Sequence, residues 1–96
     1  MSGKAKNVVR REVAIRNRLG LHARAAAQLV QAIAGLDAEV RVLKDGQEAD
    51  ARSILGLIML AAAQGSRIEI RAEGPEAEAA VEAIAALVER RFHEEA

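Results

Sequence analysis

The chain has 96 residues, a length that suits one small domain. It has no Cys, Trp or Tyr and a formal net charge of zero, which argues against disulfides, cysteine metal sites and the basic, aromatic surfaces that bind nucleic acids. Its longest apolar run, residues 54–63, is far shorter than the ~20 residues of a membrane-spanning helix. We therefore expect a cytoplasmic protein that binds no nucleic acid and does not insert into a membrane.

The first third of the chain predicts a strand followed by a helix. Residues 1–7 precede no hydrophobic segment and are expected to be a disordered leader or a vector remnant, ahead of one domain over residues 8–92. Val9, Val13 and Ile15 share one side of a period-two pattern, which is typical of a half-buried strand. From Ala23 to Ala34 the apolar spacing becomes helical, and Gly35 is expected to end this helix.

The middle of the chain predicts a hairpin and a second helix. Apolar residues at positions 38, 40 and 42 alternate with polar ones, and Asp45-Gly46 favours a tight turn, so residues 47–51 should pair back antiparallel. Ser53 is a strong N-cap residue directly before the apolar run 54–63. That run predicts a short helix ended by Gln64-Gly65.

The last third predicts a strand and a long final helix. Ile68, Ile70 and Ala72 alternate with charged residues, and Pro75 is expected at the first helical position. Apolar residues at 77, 81, 84 and 88 mark the helix, with Glu76 and Glu78 in its first turn and Arg90 and Arg91 in its last, as the helix dipole favours. Residues 93–96 are expected to be a frayed tail.

These elements follow the order β-α-β-β-α-β-α. Their apolar faces need each other, which predicts one two-layer α+β core. The pattern leaves the strand order open, because a similar order of elements also serves ferredoxin-like domains that bind small ligands.

His22 lies where the Leu19-Gly20 loop meets the first predicted helix. The first N–H groups of a helix have no partner within it, and the helix dipole makes that end positive. Neither His22 nor Ala23 is a preferred capping residue, so the backbone N–H groups of Ala23, Arg24 and Ala25 are expected to be free for an external oxyanion. Arg24 adds a guanidinium that fits a phosphate.

This setting predicts a histidine that is phosphorylated. A neutral imidazole nitrogen is a nucleophile, the positive helix end favours the neutral ring, and the free N–H groups with Arg24 would stabilise the phosphoryl charge. A metal site is not expected, because the only other histidine, His93, lies in the predicted tail and is interpreted as a surface residue. No cofactor is expected.

Two segments resemble one known family. "GLHARAA", Gly20 to Ala26, resembles the active-site signature of HPr, the histidine-containing phosphocarrier of the bacterial phosphotransferase system. "ARSILGLIML", Ala51 to Leu60, is similar to the second signature, around that family's regulatory serine. The resemblance implies an α+β open-faced β-sandwich, in which three helices cover one face of a four-stranded antiparallel sheet.

The resemblance also implies roles for three residues. His22 would accept a phosphoryl group on Nδ1 from Enzyme I, which takes it from phosphoenolpyruvate, and pass it to acceptor domains of sugar permeases or regulators. Arg24 would stabilise the phosphoryl group, and Ser53 would be the site of a dedicated ATP-dependent HPr kinase/phosphorylase. Such a protein is a phosphocarrier rather than an enzyme, and we expect a monomer.

The second predicted helix is apolar on all sides, but the sheet can cover only one of them, so some of its apolar side chains must be exposed. We expect an exposed surface around the histidine that binds partners, made of Leu21, Ala23, Ile54, Leu55 and Ile58.

Two positions depart from the family's pattern. Ala25 stands where the family usually has proline, which predicts a slightly looser but active site. Arg24 is the only basic residue of the first helix, which weakens the expected electrostatic attraction of Enzyme I, and we expect Arg52 to compensate.

Three alternatives stay open at this point. One is a nitrogen-related regulatory relay, similar to the NPr branch, that serves no sugar transport. Another is a partner-binding regulator switched only at Ser53. The third is a ferredoxin-like amino-acid sensor, which strand order would distinguish.

Overall fold

The computed structural model describes residues 8–94 as an antiparallel sheet with helices on one face; the predicted leader and residues 95–96 lie outside this range. The strands are β1 (Val8–Ala14), β2 (Glu39–Lys44), β3 (Gln47–Asp50) and β4 (Arg67–Glu73). The helices are α1 (Ala23–Ala32), α2 (Ile54–Met59) and α3 (Ala77–Glu89), and a short 3-10 turn covers Arg91–His93. The predicted order of elements and the α+β class are confirmed.

The sheet has the strand order β1-β4-β2-β3, with every neighbouring pair antiparallel. A ferredoxin-like domain instead places its first and third strands at the centre of the sheet. Here β4 and β2 are central and β1 lies at an edge. The ferredoxin-like alternative is therefore wrong.

The strand register places the apolar residues in rows on the helix-covered face. One row crosses three strands through Ile70, Val42 and Ala49, and another through Val9, Ala72 and Val40. The hairpin between β2 and β3 turns at Asp45 and Gly46, which have φ of 48° and 81°, as the predicted tight turn requires. Helix α3 packs on this face through Ala77, Ala80, Val81, Ile84 and Val88.

The first two helices end earlier than their apolar patterns predict. Helix α1 ends at Ala32 with Ile33 as its C-cap, so Gly35 lies in the turn beyond it and does not form the cap. Helix α2 ends at Met59 rather than at residue 63, and Ala61 takes a φ of 53°. This early end turns the chain so that the Ala62 carbonyl accepts a hydrogen bond from the Leu21 N–H at 2.9 Å, and Ala62 itself is buried.

The final helix starts and ends slightly inside its predicted limits. Pro75 lies in the turn before α3, and Glu76 is the N-cap position. The Glu76 carboxylate accepts a hydrogen bond from the Asp37 N–H at 2.6 Å, which ties the start of α3 to the chain before β2. Arg90 is the C-cap position and Arg91 lies beyond, so neither belongs to the last turn.

The chain after α3 folds back in a left-handed turn. Arg91, Phe92 and His93 have φ of 56°, 52° and 59°. Phe92 is only 3% exposed and joins the core, while the N–H groups of His93 and Glu94 donate to the carbonyls of Arg90 and Arg91. Positions 93 and 94, assigned to a frayed tail, therefore have defined hydrogen bonds.

Within residues 8–94, no helix is long and apolar enough to cross a membrane.

Candidate functional site

A tightly packed loop at residues 17–21, the histidine loop, carries the chain into α1. Gly20 has a φ of 70°, and a Cβ on it would lie 2.5 Å from the Ala62 carbonyl oxygen, so only glycine fits here. Leu21 is 4% exposed and packs into the core. The loop is thus held against the segment that follows α2, and His22 is presented at the edge of this contact.

His22 is itself the N-cap of α1. Its Nδ1 accepts a hydrogen bond from the Arg24 N–H at 3.2 Å, and its carbonyl accepts the Ala26 N–H at 2.8 Å. The prediction that the Arg24 N–H is free is therefore wrong, because a histidine ring can accept from the helix start as a shorter capping side chain does. The N–H groups of Ala23 and Ala25 have no hydrogen-bond partner among residues 8–94.

This hydrogen bond indicates which atom of the ring carries a lone pair. A nitrogen that accepts a hydrogen bond carries a lone pair rather than a proton, so Nδ1 has the electrons of a nucleophile. The ring is partly exposed. The bond from the Arg24 N–H, at 3.2 Å, is at the long end of the usual range for an N–H donor.

Arg24 is exposed, and no ion pair engages its guanidinium within the described part of the chain. Ala25, which stands where the family usually has proline, has a fully buried methyl group. Because this residue is alanine, it has a backbone N–H, which a proline would lack, at the helix end beside His22.

The left-handed turn after α3 forms one wall of the site. An open cleft of about 490 Å³ is lined by residues of the histidine loop, the α1 N-terminus and this turn: Leu19, His22, Arg24, Phe92, His93 and Glu94. His93 is exposed, as predicted. That this turn packs back beside His22 was not predicted. Phe92 is the only Phe, Trp or Tyr of the sequence, and a large apolar side chain so close after α3 could have indicated that this turn packs against the core.

Among residues 8–94 no group of side chains could hold a metal ion.

Ser53 caps α2 as predicted. Its Oγ accepts a hydrogen bond from the Gly56 N–H at 3.0 Å, and the side chain is partly buried.

An exposed apolar patch lies on α2 and the histidine loop. Its members share large apolar side chains that are at least one third exposed: Leu19, Ile54, Leu55, Ile58 and Met59. A shallow second cleft, lined by Leu19, His22 and residues 61–63 among others, connects the loop with the chain after α2. Of the predicted surface set, Leu21 is buried and does not belong, whereas Ala23 is exposed.

Arg52 has a structural role that the sequence did not predict. Its guanidinium donates to three backbone carbonyls, those of Ile33, Leu36 and Ala38, at 2.9 to 3.0 Å. These bonds hold the guanidinium at the chain between α1 and β2. Arg52 therefore stabilises the fold. Because these acceptors are uncharged, its positive charge is kept, and the expected attraction of Enzyme I stays a prediction.

Known proteins match nearly the whole chain. A family model described as the phosphorylation site of the HPr component of the phosphotransferase system matches residues 9–90. The chain is 40% identical over 87 residues to the phosphocarrier protein HPr of Cupriavidus necator, covering 91% of this chain and 98% of the relative. It is 44% identical over 88 residues to the phosphocarrier protein NPr of Escherichia coli K12, with the same coverage.

Solved structures agree with this match. The crystal structure of HPr-C-His from Thermoanaerobacter tengcongensis is 36% identical, superposes with a TM-score of 0.87, and covers 92% of this chain and 99% of that one.

The four-stranded antiparallel sheet with helices on one face is the fold of the solved HPr structures, which are phosphocarrier domains. The chain belongs to the HPr family of the phosphotransferase system, whose members are phosphocarrier proteins rather than enzymes.

Proposed function

We propose that this chain accepts a phosphoryl group on Nδ1 of His22 from phosphorylated Enzyme I and transfers it to acceptor domains of sugar permeases or regulators in the cytoplasm. The observation that carries the proposal is the acceptor role of Nδ1 in the hydrogen bond from the Arg24 N–H. It places a lone pair on a partly exposed ring at the positive end of a ten-residue helix.

The proposed transfer exchanges one bond to phosphorus for another. The Nδ1 lone pair forms the new N–P bond while the bond between phosphorus and the donor breaks. The electron pair of the broken bond stays with the donor. When Nδ1 turns to phosphorus, the Arg24 N–H loses its partner. It then joins the N–H groups of Ala23 and Ala25 in binding the phosphoryl oxygens, so the hydrogen bond given up is replaced by charge-assisted ones.

Arg24 is proposed to stabilise the phosphoryl group through its guanidinium. With no ion pair to break within residues 8–94, the side chain is available when the charge arrives. The stabilisation must be moderate, because a carrier has to release the group to the next protein.

The exposed apolar patch is proposed as the docking surface for both donor and acceptor. Apolar side chains at least one third exposed, on the element next to the histidine loop, suit a small interface that forms and separates repeatedly. The chain is proposed to act as a monomer.

The first test is phosphorylation by Enzyme I and phosphoenolpyruvate, read by intact-protein mass spectrometry. The natural chain should gain one acid-labile phosphoryl group, and His22→Ala should gain none. His93→Ala is the matched control, because it removes the other histidine of the same cleft and should still be labelled. Labelling of His22→Ala would contradict the assignment.

The same assay separates the two branches of the family. Relatives named HPr and NPr match at comparable identity, so the donor must be tested directly. Parallel reactions with the sugar-system Enzyme I and its nitrogen-related counterpart should show faster labelling by the physiological donor.

Ser53 is proposed as a regulatory phosphorylation site for an HPr kinase/phosphorylase. Support comes from its place next to Ile54 and Leu55 of the apolar patch, where added charge would disturb docking. Incubation with the kinase and ATP should add an acid-stable phosphate that Ser53→Ala lacks. Absence of labelling would leave Ser53 with its capping role only.

A further inference from the structure

Asn17 is the only buried polar or charged residue among positions 8–94, at 1% exposure. Its side-chain Nδ2 donates to the Gly20 carbonyl at 2.8 Å, while its Oδ1 has no hydrogen-bond partner. A buried amide that is only half satisfied stabilises a fold little, because an apolar side chain of similar size avoids the cost of the unpaired oxygen. We infer that Asn17 is a positioning residue for phosphoryl transfer, which orients the backbone that carries His22.

The Gly20 carbonyl is the point through which Asn17 acts. Besides the bond from Asn17, this oxygen accepts the His22 N–H at 2.9 Å. Because the peptide between Gly20 and Leu21 is rigid and planar, a fixed carbonyl also fixes the Leu21 N–H, which donates to the Ala62 carbonyl at 2.9 Å. Both ends of this peptide are thereby held, one by Asn17 and the other by the segment after α2.

The order continues from this peptide to the ring. The His22 N–H is held by the Gly20 carbonyl, and the His22 carbonyl accepts the first backbone hydrogen bond of the helix, from the Ala26 N–H. With both backbone groups engaged, the side chain leaves the backbone in one direction, toward the Arg24 N–H. Asn17 contributes the only side-chain hydrogen bond to this series before the ring itself. Misplacement of a reacting atom by about 1 Å can cost on the order of 100-fold in rate, so loop orientation matters for the transfer.

The inference rests on the proposed function, and its test has one readout that does not need Enzyme I. Asn17→Leu removes the donor and fills similar space. Ile70→Val is the control, because it alters the buried centre of the sheet and leaves the histidine loop intact. The ¹⁵N NMR signals of the His22 ring and the Arg24 amide report the hydrogen bond to Nδ1. We expect both to shift in Asn17→Leu and to remain unchanged in Ile70→Val.

The second readout is the kinetics of phosphorylation by Enzyme I. In Asn17→Leu, kcat should fall about tenfold while KM stays within about twofold, because the apolar patch that docks the donor is unchanged. Asn17→Ala, which is too small to overpack the site, replaces the leucine variant if that one does not fold. Natural ring signals together with a natural kcat in a folded Asn17 variant would overturn the inference, as would an equal fall in kcat in the control. Failure of the natural chain to be phosphorylated would instead refute the proposed function and leave the spectroscopic result to decide the positioning role.

Discussion

His22 has two roles that compete for the same nitrogen. As the N-cap of α1, its Nδ1 satisfies one of the N–H groups at the helix start. As the proposed phosphoryl acceptor, the same nitrogen must leave that bond. The exchange is possible because the phosphoryl oxygens can accept the hydrogen bond from the Arg24 N–H that Nδ1 gives up. These oxygens are negatively charged, and they lie at the positive helix end.

Gly20 sets the approach of the histidine loop to the segment after α2. Gly20→Ala should lower the free energy of unfolding by about 2 to 4 kcal/mol, because the new Cβ meets the Ala62 oxygen and an L-residue is strained at positive φ. Urea unfolding of three variants separates these causes. Gly46→Ala, with φ of 81° but open space, should lose about 1 kcal/mol, and Gly35→Ala, with neither constraint, should change by less than about 0.5 kcal/mol. Equal losses at all three positions would contradict the steric explanation.

Ser53 links a structural role to the proposed regulation. Ser53→Ala should cost about 1 kcal/mol in urea unfolding, because the Gly56 N–H loses its acceptor. Ser53→Asp keeps an acceptor and adds a negative charge near the helix start, so it should be nearly as stable as the natural chain. Ser66→Ala is a control, since no side-chain hydrogen bond of Ser66 is present in residues 8–94. If Ser53→Asp unfolds as easily as Ser53→Ala, the oxygen at this position does not act as a cap.

At the scale of elements, the connection between α1 and β2 depends on Arg52. Arg52→Ala should lower the free energy of unfolding by roughly 1 to 2 kcal/mol, because three backbone carbonyls lose a charged donor. Arg41→Ala is the matched control. Its ion pair with Glu48 is about half exposed, and loss of such a pair usually costs less than about 1 kcal/mol. A smaller loss for Arg52 than for Arg41 would show that the carbonyl contacts contribute little.

The α2 element is short for the apolar run that encodes it. Residues 54–63 are compatible with a helix throughout, yet the helix stops at Met59. The remaining residues instead bury Leu60 and Ala62 and supply the carbonyl that holds the histidine loop. On this short helix Leu55 and Met59 are exposed at 68% and 69%, and they make up much of the proposed docking surface.

At the scale of the whole molecule, the two faces of the sheet differ in character. The uncovered face carries alternating rows of charge. One row has Arg10, Arg71 and Arg41, and the next has Glu12, Glu69 and Glu48, with Leu43 between the last two. Ion pairs join the rows, such as Arg41 with Glu48 at 2.9 Å and Arg71 with Glu69 at 3.1 Å. Since the charges on this face are largely matched, the apolar patch is the stronger candidate for partner binding.

The closure of the domain at its C-terminal end depends on Phe92. Phe92→Ala should lower the free energy of unfolding by about 3 kcal/mol, because a buried ring is removed and nothing remains to offset the left-handed conformation of its neighbours. Thermal or urea unfolding measures this, with Val8→Ala, at an exposed apolar residue, as the control that should change little. A loss similar to that of Val8→Ala would mean that the turn does not anchor the chain end.

The sequence by itself determined the features that depend on near neighbours. Alternation of apolar and polar residues predicted β1, β2 and β4. Asp45-Gly46 predicted the hairpin turn and with it β3, and Ser53 predicted the start of α2. The position of His22 at the start of α1 was also predicted from near neighbours, because a glycine-containing loop followed by helical apolar spacing can be recognised within a few residues.

Only the tertiary structure decided the features that join distant segments. The early end of α2, the burial of Leu21, the carbonyl contacts of Arg52 and the return of Phe92 to the histidine site each depend on residues far apart in the chain. Helix propensity and apolar pattern are too weak to specify such contacts, because burial against a distant partner outweighs the few tenths of a kcal/mol that separate most residues in a helix. The strand order was also decided only by the tertiary structure. Alternation shows that a strand has one apolar face, but it does not show which strand will be its neighbour.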